Sequence, residues 1–253
     1  MWSRSENRVR GGVRRSRAHA LPVLGVAAWL AVVAALYGSL LWAPEERVMG
    51  DVQRLFYFHL ASAWVALGPA FTTVFVCSVA YLARRRDAFD RVAAASAEIG
   101  VLFTTITLAT GPLWARPVWG SYWTWDPRLT TTLILWFMYA GYLLLRSVVP
   151  PGERRARLAA VYGIIAWANV PLVFMSIRWW RTIHPQVITG SGMQLEGTMA
   201  AVLGLSLAAF TLLFVVLLLL RTAHVRTADD LSALRRSALT PRPIPPRKEE
   251  ARS

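Results

Sequence analysis

Six stretches of this chain, at 21–43, 57–83, 92–114, 129–149, 158–178 and 198–220, stay largely apolar for about twenty residues or more. A helix of that length crosses the ~30 Å hydrocarbon core of a bilayer. Hydrocarbon offers backbone groups no outside partner, so a spanning segment must be a helix or belong to a closed barrel. Continuous apolar runs of this length, without alternation, select the helix. The sequence therefore predicts an all-α polytopic membrane protein with six transmembrane helices. A composition of 55% hydrophobic and 17% charged residues also leaves too little polar surface to coat a soluble domain.

A net charge of +14 would point to nucleic acid in a soluble protein. Here the charge sorts by topology. Of the 28 Lys and Arg, 22 fall at one set of alternate connections and 6 at the other. The basic set marks the cytoplasmic side, so both termini are expected there, and no nucleic-acid partner is expected. Three regions follow: a basic cytoplasmic N-terminus (1–20), a membrane domain (21–220), and a charged, proline-rich cytoplasmic tail (221–253) expected to be disordered. The first apolar run is too long for a cleaved signal peptide, so a retained helix is expected.

Some chemistries have no actors. The single cysteine, Cys77, lies within the second span, with no disulfide partner and no Cys-x-x-Cys-His site. No phosphate-binding Gly-x-x-x-x-Gly-Lys-Ser/Thr sequence occurs, so any ATP would be handled by another chain.

The connection between the third and fourth spans is unusual. It carries Trp114, Trp119, Trp123 and Trp125, with Tyr122 among them, and closes on Asp126, Pro127 and Arg128. An interfacial belt explains some aromatics at any helix end. Four tryptophans in one connection suit a platform for a flat, apolar ligand. By the charge pattern, His59 (in Phe56-Tyr57-Phe58-His59) and His184 (in Trp179-Trp180-Arg181-Thr182-Ile183-His184-Pro185) share that side of the membrane. His19 and His224 sit beside arginines and read as surface residues.

Haem fits this set of side chains. Its ring takes aromatic faces, its iron takes axial imidazoles, and its two propionates take guanidinium forks. Arg54, Arg116, Arg128, Arg178 and Arg181 are candidates for the last role. Zinc fits less well, because catalytic zinc uses three protein ligands with a closely spaced pair. Asp126 followed by Pro127 also reads as the N-cap of the fourth span, and capping is compatible with a part in the site. Asn169 and Pro171 predict a kink in the fifth span, and Glu98 is placed to pair with an arginine.

The run Trp119-Gly-Ser-Tyr-Trp123-Thr-Trp125-Asp126 resembles the WWD motif of membrane haem-handling proteins in cytochrome c biogenesis. The length, the six spans and the two histidine elements are similar to the cytochrome c maturation protein C (CcmC) branch, over about residues 20–220. The resemblance implies a protein that is not an enzyme and sits in the bacterial cytoplasmic membrane. It implies haem b held at the outer face, with His59 and His184 as axial iron ligands. The WWD loop (114–128) would lie against the porphyrin, with Trp114, Trp119, Trp123, Trp125, Asp126 and Arg128 as binding residues. It further implies delivery to the haem chaperone CcmE, which binds haem covalently through its own histidine. CcmA, CcmB and CcmD would be companions and membrane lipid the surroundings. Two positions depart from the family pattern: Pro127 stands where alanine is expected, and Pro185-Gln186 where a Gln-Gly-like pair is expected. Two other readings stay open: a permease subunit with a polar path through the bundle, for which Asn169 and Glu98 are the candidates, and a haem-free scaffold of the maturation complex.

Overall fold

The structure, a computed structural model, describes residues 4–47, 49–184, 188–189, 192–193 and 195–239; for residues 4–19, Trp114, 188–189, 192–193, Ala233 and 236–239 only the backbone course is described. Among the described residues, six helical segments are long and apolar enough to cross a membrane: Ala20–Trp42, Asp51–Arg84, Asp87–Trp119, Pro127–Val148, Glu153–Trp179 and Gly197–Ser232. The chain is a multi-pass membrane protein, as its apolar runs require.

The first span is α1 (Arg4–Tyr37), closed by a π turn at Gly38–Trp42. The second is broken into α2 (Arg54–Val65) and α3 (Phe71–Arg84) by a π turn at Ala66–Ala70 that contains Pro69. A proline removes one ladder hydrogen bond and crowds the preceding turn, and the wider winding accommodates it. The third span, α4 (Asp87–Trp119), runs through the middle of the bundle against α2, α3, α5 and α8. The fourth is α5 (Pro127–Val148). The fifth divides at Ala168 into α6 (Glu153–Trp167) and α7 (Asn169–Trp179), as Asn169 and Pro171 predict. The Asn169 amide donates to the Thr131 carbonyl at 2.9 Å, tying this break to α5. The sixth span belongs to α8 (Gly197–Leu239). A two-residue antiparallel pair, β1 (Ile188–Thr189) with β2 (Gly192–Met193), lies in the last long connection.

The helices overrun the sequence-based boundaries. Helix α4 continues past 114 to Trp119, so the first half of the aromatic connection is helical rather than loop, despite Pro112 and Pro117. Helix α8 continues past 220 to Leu239, although the tail was expected to be disordered from 221. Its residues 221–239 hold alanine, leucine and arginine and no proline, and such residues favour a helix whether or not lipid surrounds them. The proline-rich 240–253 lie outside the described residues.

Close packing holds the centre. Phe71 and Tyr139 stack at 3.7 Å between ring centroids, and Phe75 stacks on Trp167 at 4.3 Å. Gly100 makes the first stack possible, because a Cβ there would stand 2.4 Å from Phe71 Cε1. Helix α1 packs along α8. The buried face of this first span is made of small residues, Ala28 and Ala35 on α1 and Gly38 and Ser39 in its closing turn, which let two backbones approach in lipid. At the end of the bundle away from the tryptophans, Arg146 donates both Nη atoms to Asp90, at 2.5 and 2.9 Å, with both side chains nearly buried. Glu98 pairs with Arg221 at 2.5 and 2.9 Å, as expected of it. Both residues proposed to mark a polar path are thus engaged in tying helices together.

Candidate functional site

A cavity of about 540 Å³ opens at the end of the bundle where α2, α4, α5 and α7 converge, with α8 behind α2. That volume falls within the ~300–1,000 Å³ of ordinary small-molecule sites. Most of its wall is apolar, including Phe56, Leu60, Trp64, Leu108 and Phe174. His59 and His184 both line it, joined by Trp119, Trp123, Arg128 and Arg178.

His59 reaches the cavity from the second turn of α2 and is 9% exposed. Its Nδ1 lies 3.2 Å from Thr110 Oγ1 on α4, and that hydroxyl donates its own proton to Ile106 O at 2.7 Å. With that hydroxyl accepting, the Nδ1–H tautomer of the ring would keep its lone pair on Nε2, a form that can bind a metal. Gly111 permits the arrangement: a Cβ at that position would stand 3.0 Å from His59 Cε1 and 3.5 Å from Nδ1. His184 arrives from the segment that follows α7. Its ring meets Trp119 edge-on, with centroids 6.3 Å apart.

The tryptophan run divides into two populations. Helix α4 ends at Trp119 because Gly120 takes a left-handed φ of +68° and donates its N–H to Arg116 O at 2.8 Å. Trp119 and Trp123 face the cavity. Trp125 does not line it; its ring packs edge-on against Trp123, at 5.8 Å between centroids, and is 76% exposed. Trp114 lies on α4, and its side chain is outside the described residues. Asp126 is 7% exposed and is not part of the cavity wall. It caps α5, accepting from Arg128 N at 2.9 Å, as Asp-Pro predicts.

The five candidate arginines also separate. Arg128 and Arg178 line the cavity. Arg54 donates to Asp51 Oδ1 at 2.8 Å and to the carbonyls of Ser39 and Leu40, closing the end of the first span. Arg116 lies over the Tyr122 ring at 4.6 Å, and Arg181 is exposed away from the wall. His224 is exposed on α8, while the His19 side chain and Pro185 are outside the described residues.

The sequence of residues 12–236 matches the family model described as heme exporter protein C. The chain belongs to the heme exporter protein C (CcmC) family. It is 37% identical to heme exporter protein C of Bradyrhizobium diazoefficiens over 202 residues, covering 79% of this chain and 76% of the relative. It is 31% identical to heme exporter protein C of Escherichia coli K12 over 203 residues, 78% and 82% of the two chains. Identity to a putative cytochrome c biosynthesis ccmC-like mitochondrial protein of Marchantia polymorpha is 33% over 198 residues, 78% and 84% of the two chains. Within this family frame, Thr110 and Gly111 stand out as site residues that the sequence reading passed over. Both look like ordinary helix positions until α2 lays His59 against them.

Proposed function

We propose that this protein binds haem in the cavity, with His59 and His184 as axial iron ligands, and passes it to a haem chaperone of the CcmE kind for cytochrome c maturation. The observation that carries this reading is the convergence of two histidines from distant parts of the chain on one largely apolar cavity. The donor set suits haem: imidazoles for iron, apolar walls for the ring, and Arg128 and Arg178 for the propionates. Trp119 and Trp123 supply aromatic surface beside His184. The names of the relatives support the same cargo. The chain acts as a carrier rather than an enzyme: its residues bind, orient and release.

The site is assigned to the periplasmic side of the bacterial inner membrane, following the arginine pattern of the connections. Release would proceed by exchange of an axial histidine for a ligand of the chaperone. The ATP-binding-cassette pair CcmA and CcmB and the small protein CcmD would complete the assembly.

The test is the visible spectrum of detergent-purified protein, oxidised and then reduced with dithionite. Low-spin α and β bands are expected, diminished in His59→Ala and His184→Ala but retained in His224→Ala. Equal haem content in all three variants would overturn the ligand assignment.

A further inference from the structure

We propose that Asp126 is a positioning residue that fixes the His184 segment to the start of α5, rather than a contact to the cargo. The inference rests on the haem-site reading for its functional meaning, though the geometry is visible without it. Oδ1 of Asp126 accepts the α5 capping bond from Arg128 N at 2.9 Å. Oδ2 accepts from Thr182 Oγ1 at 2.6 Å and from Ile183 N at 3.0 Å. Thr182 Oγ1 in turn accepts from His184 N at 3.0 Å. Donor and acceptor roles close without conflict: the hydroxyl gives its proton to the carboxylate and takes the histidine amide proton.

One carboxylate thus joins residues 56 and 57 positions apart in sequence. It does so at 7% exposure, where hydrogen bonds to a charged acceptor are strongest. Helix α7 ends at Trp179, and Trp180 is extended. The stretch from Trp180 to His184 has no regular ladder, and these bonds fix its backbone where the imidazole lies edge-on to Trp119. Arg128, whose amide caps on the same carboxylate, also lines the cavity. Asp126 therefore sets two cavity residues from one buried point, by bonding to their backbones directly or through Thr182.

The decisive variant is Asp126→Asn. Asparagine keeps an acceptor for the α5 cap, where it is as good a capping residue as aspartate. Its NH2, however, then faces the Ile183 N–H, which needs an acceptor, and the Thr182 hydroxyl loses its carboxylate acceptor. Folding and the start of α5 are thus preserved while the tether is cut. In protein prepared without haem, amide hydrogen exchange across 180–184 should quicken about tenfold or more, consistent with loss of charge-assisted bonds, with exchange in α5 unchanged. In haem-loaded protein, the low-spin bis-histidine spectrum should shift towards high spin, and added imidazole should restore it. Thr182→Val should reproduce both effects and Thr182→Ser neither. Unchanged exchange at Ile183 and His184 in Asp126→Asn would overturn the tether itself. Quickened exchange with an unaltered haem spectrum would show that the tether does not position the ligand, and would likewise overturn the proposal. If the wild-type protein shows no haem spectrum at all, the function proposed above fails, while the exchange result still decides the tether.

Discussion

Adding one methyl group to α4 should damage haem binding far more than it changes the stability of the fold. In Gly111→Ala the new Cβ would stand 3.0 Å from His59 Cε1. Carbon atoms pack at about 3.5–4.0 Å, so the ring must retreat by roughly half an ångström. The Nδ1 to Thr110 Oγ1 distance is already 3.2 Å, and the same displacement takes it to the limit of a hydrogen bond or beyond. That bond is worth about 0.5–1.5 kcal/mol, and losing the outer partner of a metal-bound histidine typically lowers metal affinity about 10- to 100-fold. Against this, alanine is favoured over glycine inside a helix by roughly 0.5–1 kcal/mol. The two nearly offset, so the apoprotein should unfold within a few degrees of wild type. Titration of haem into detergent-solubilised apoprotein, followed at the Soret band, should show affinity reduced about tenfold or more. Thr110→Val, which removes the acceptor without adding bulk, should lose affinity to a similar degree. Wild-type affinity in both variants would refute the claim that Thr110 and Gly111 orient a ligating imidazole.

Breaking the Asp90–Arg146 pair from one side, with Arg146→Met, should cost about 3–5 kcal/mol by leaving a carboxylate nearly buried. The double change with Asp90→Asn should recover much of that loss, as measured by thermal unfolding in detergent. Gly100→Ala should destabilise the bundle by roughly 1–3 kcal/mol or more, because its Cβ would overlap the Phe71 ring; the same unfolding assay reads it. Arg128→Gln and Arg178→Gln should each weaken binding of haem but leave binding of haem dimethyl ester nearly unchanged, since the ester carries no propionate charge for the guanidinium to meet. An equal loss for both ligands would exclude a propionate contact.

The membrane architecture was legible because twenty-residue apolar runs have so few alternatives in lipid. Asp126 and Asn169 announced a cap and a kink through local chemistry that needs no distant partner. The two histidines were legible as a pair only because each lies among aromatics and falls on the same side of the charge pattern. What the sequence did not carry was direction. Trp123 and Trp125 are two residues apart, yet one lines the cavity and the other turns outward, and no periodicity governs a non-helical segment. Trp119 lies beyond the apolar run that ends at 114, yet α4 carries on through Pro112 and Pro117 to reach it. Asp90 and Arg146, 56 positions apart, meet only because α4 and α5 run side by side. Thr110 gave no signal, since its importance comes wholly from a residue on another helix.

The pairing of α1 with α8 has a consequence for how the protein is made. The ribosome delivers the first helix first and its packing partner last. At translation rates of about 5–20 residues per second, the two are separated by on the order of ten seconds or more. Throughout that interval the small-residue stripe of Ala28, Ala35 and Gly38 has only lipid or the insertion machinery to rest against. The final helix is therefore the clasp of the molecule. A chain halted before Gly197 leaves the small-residue face of its first helix uncovered by α8, however well the helices between them have formed.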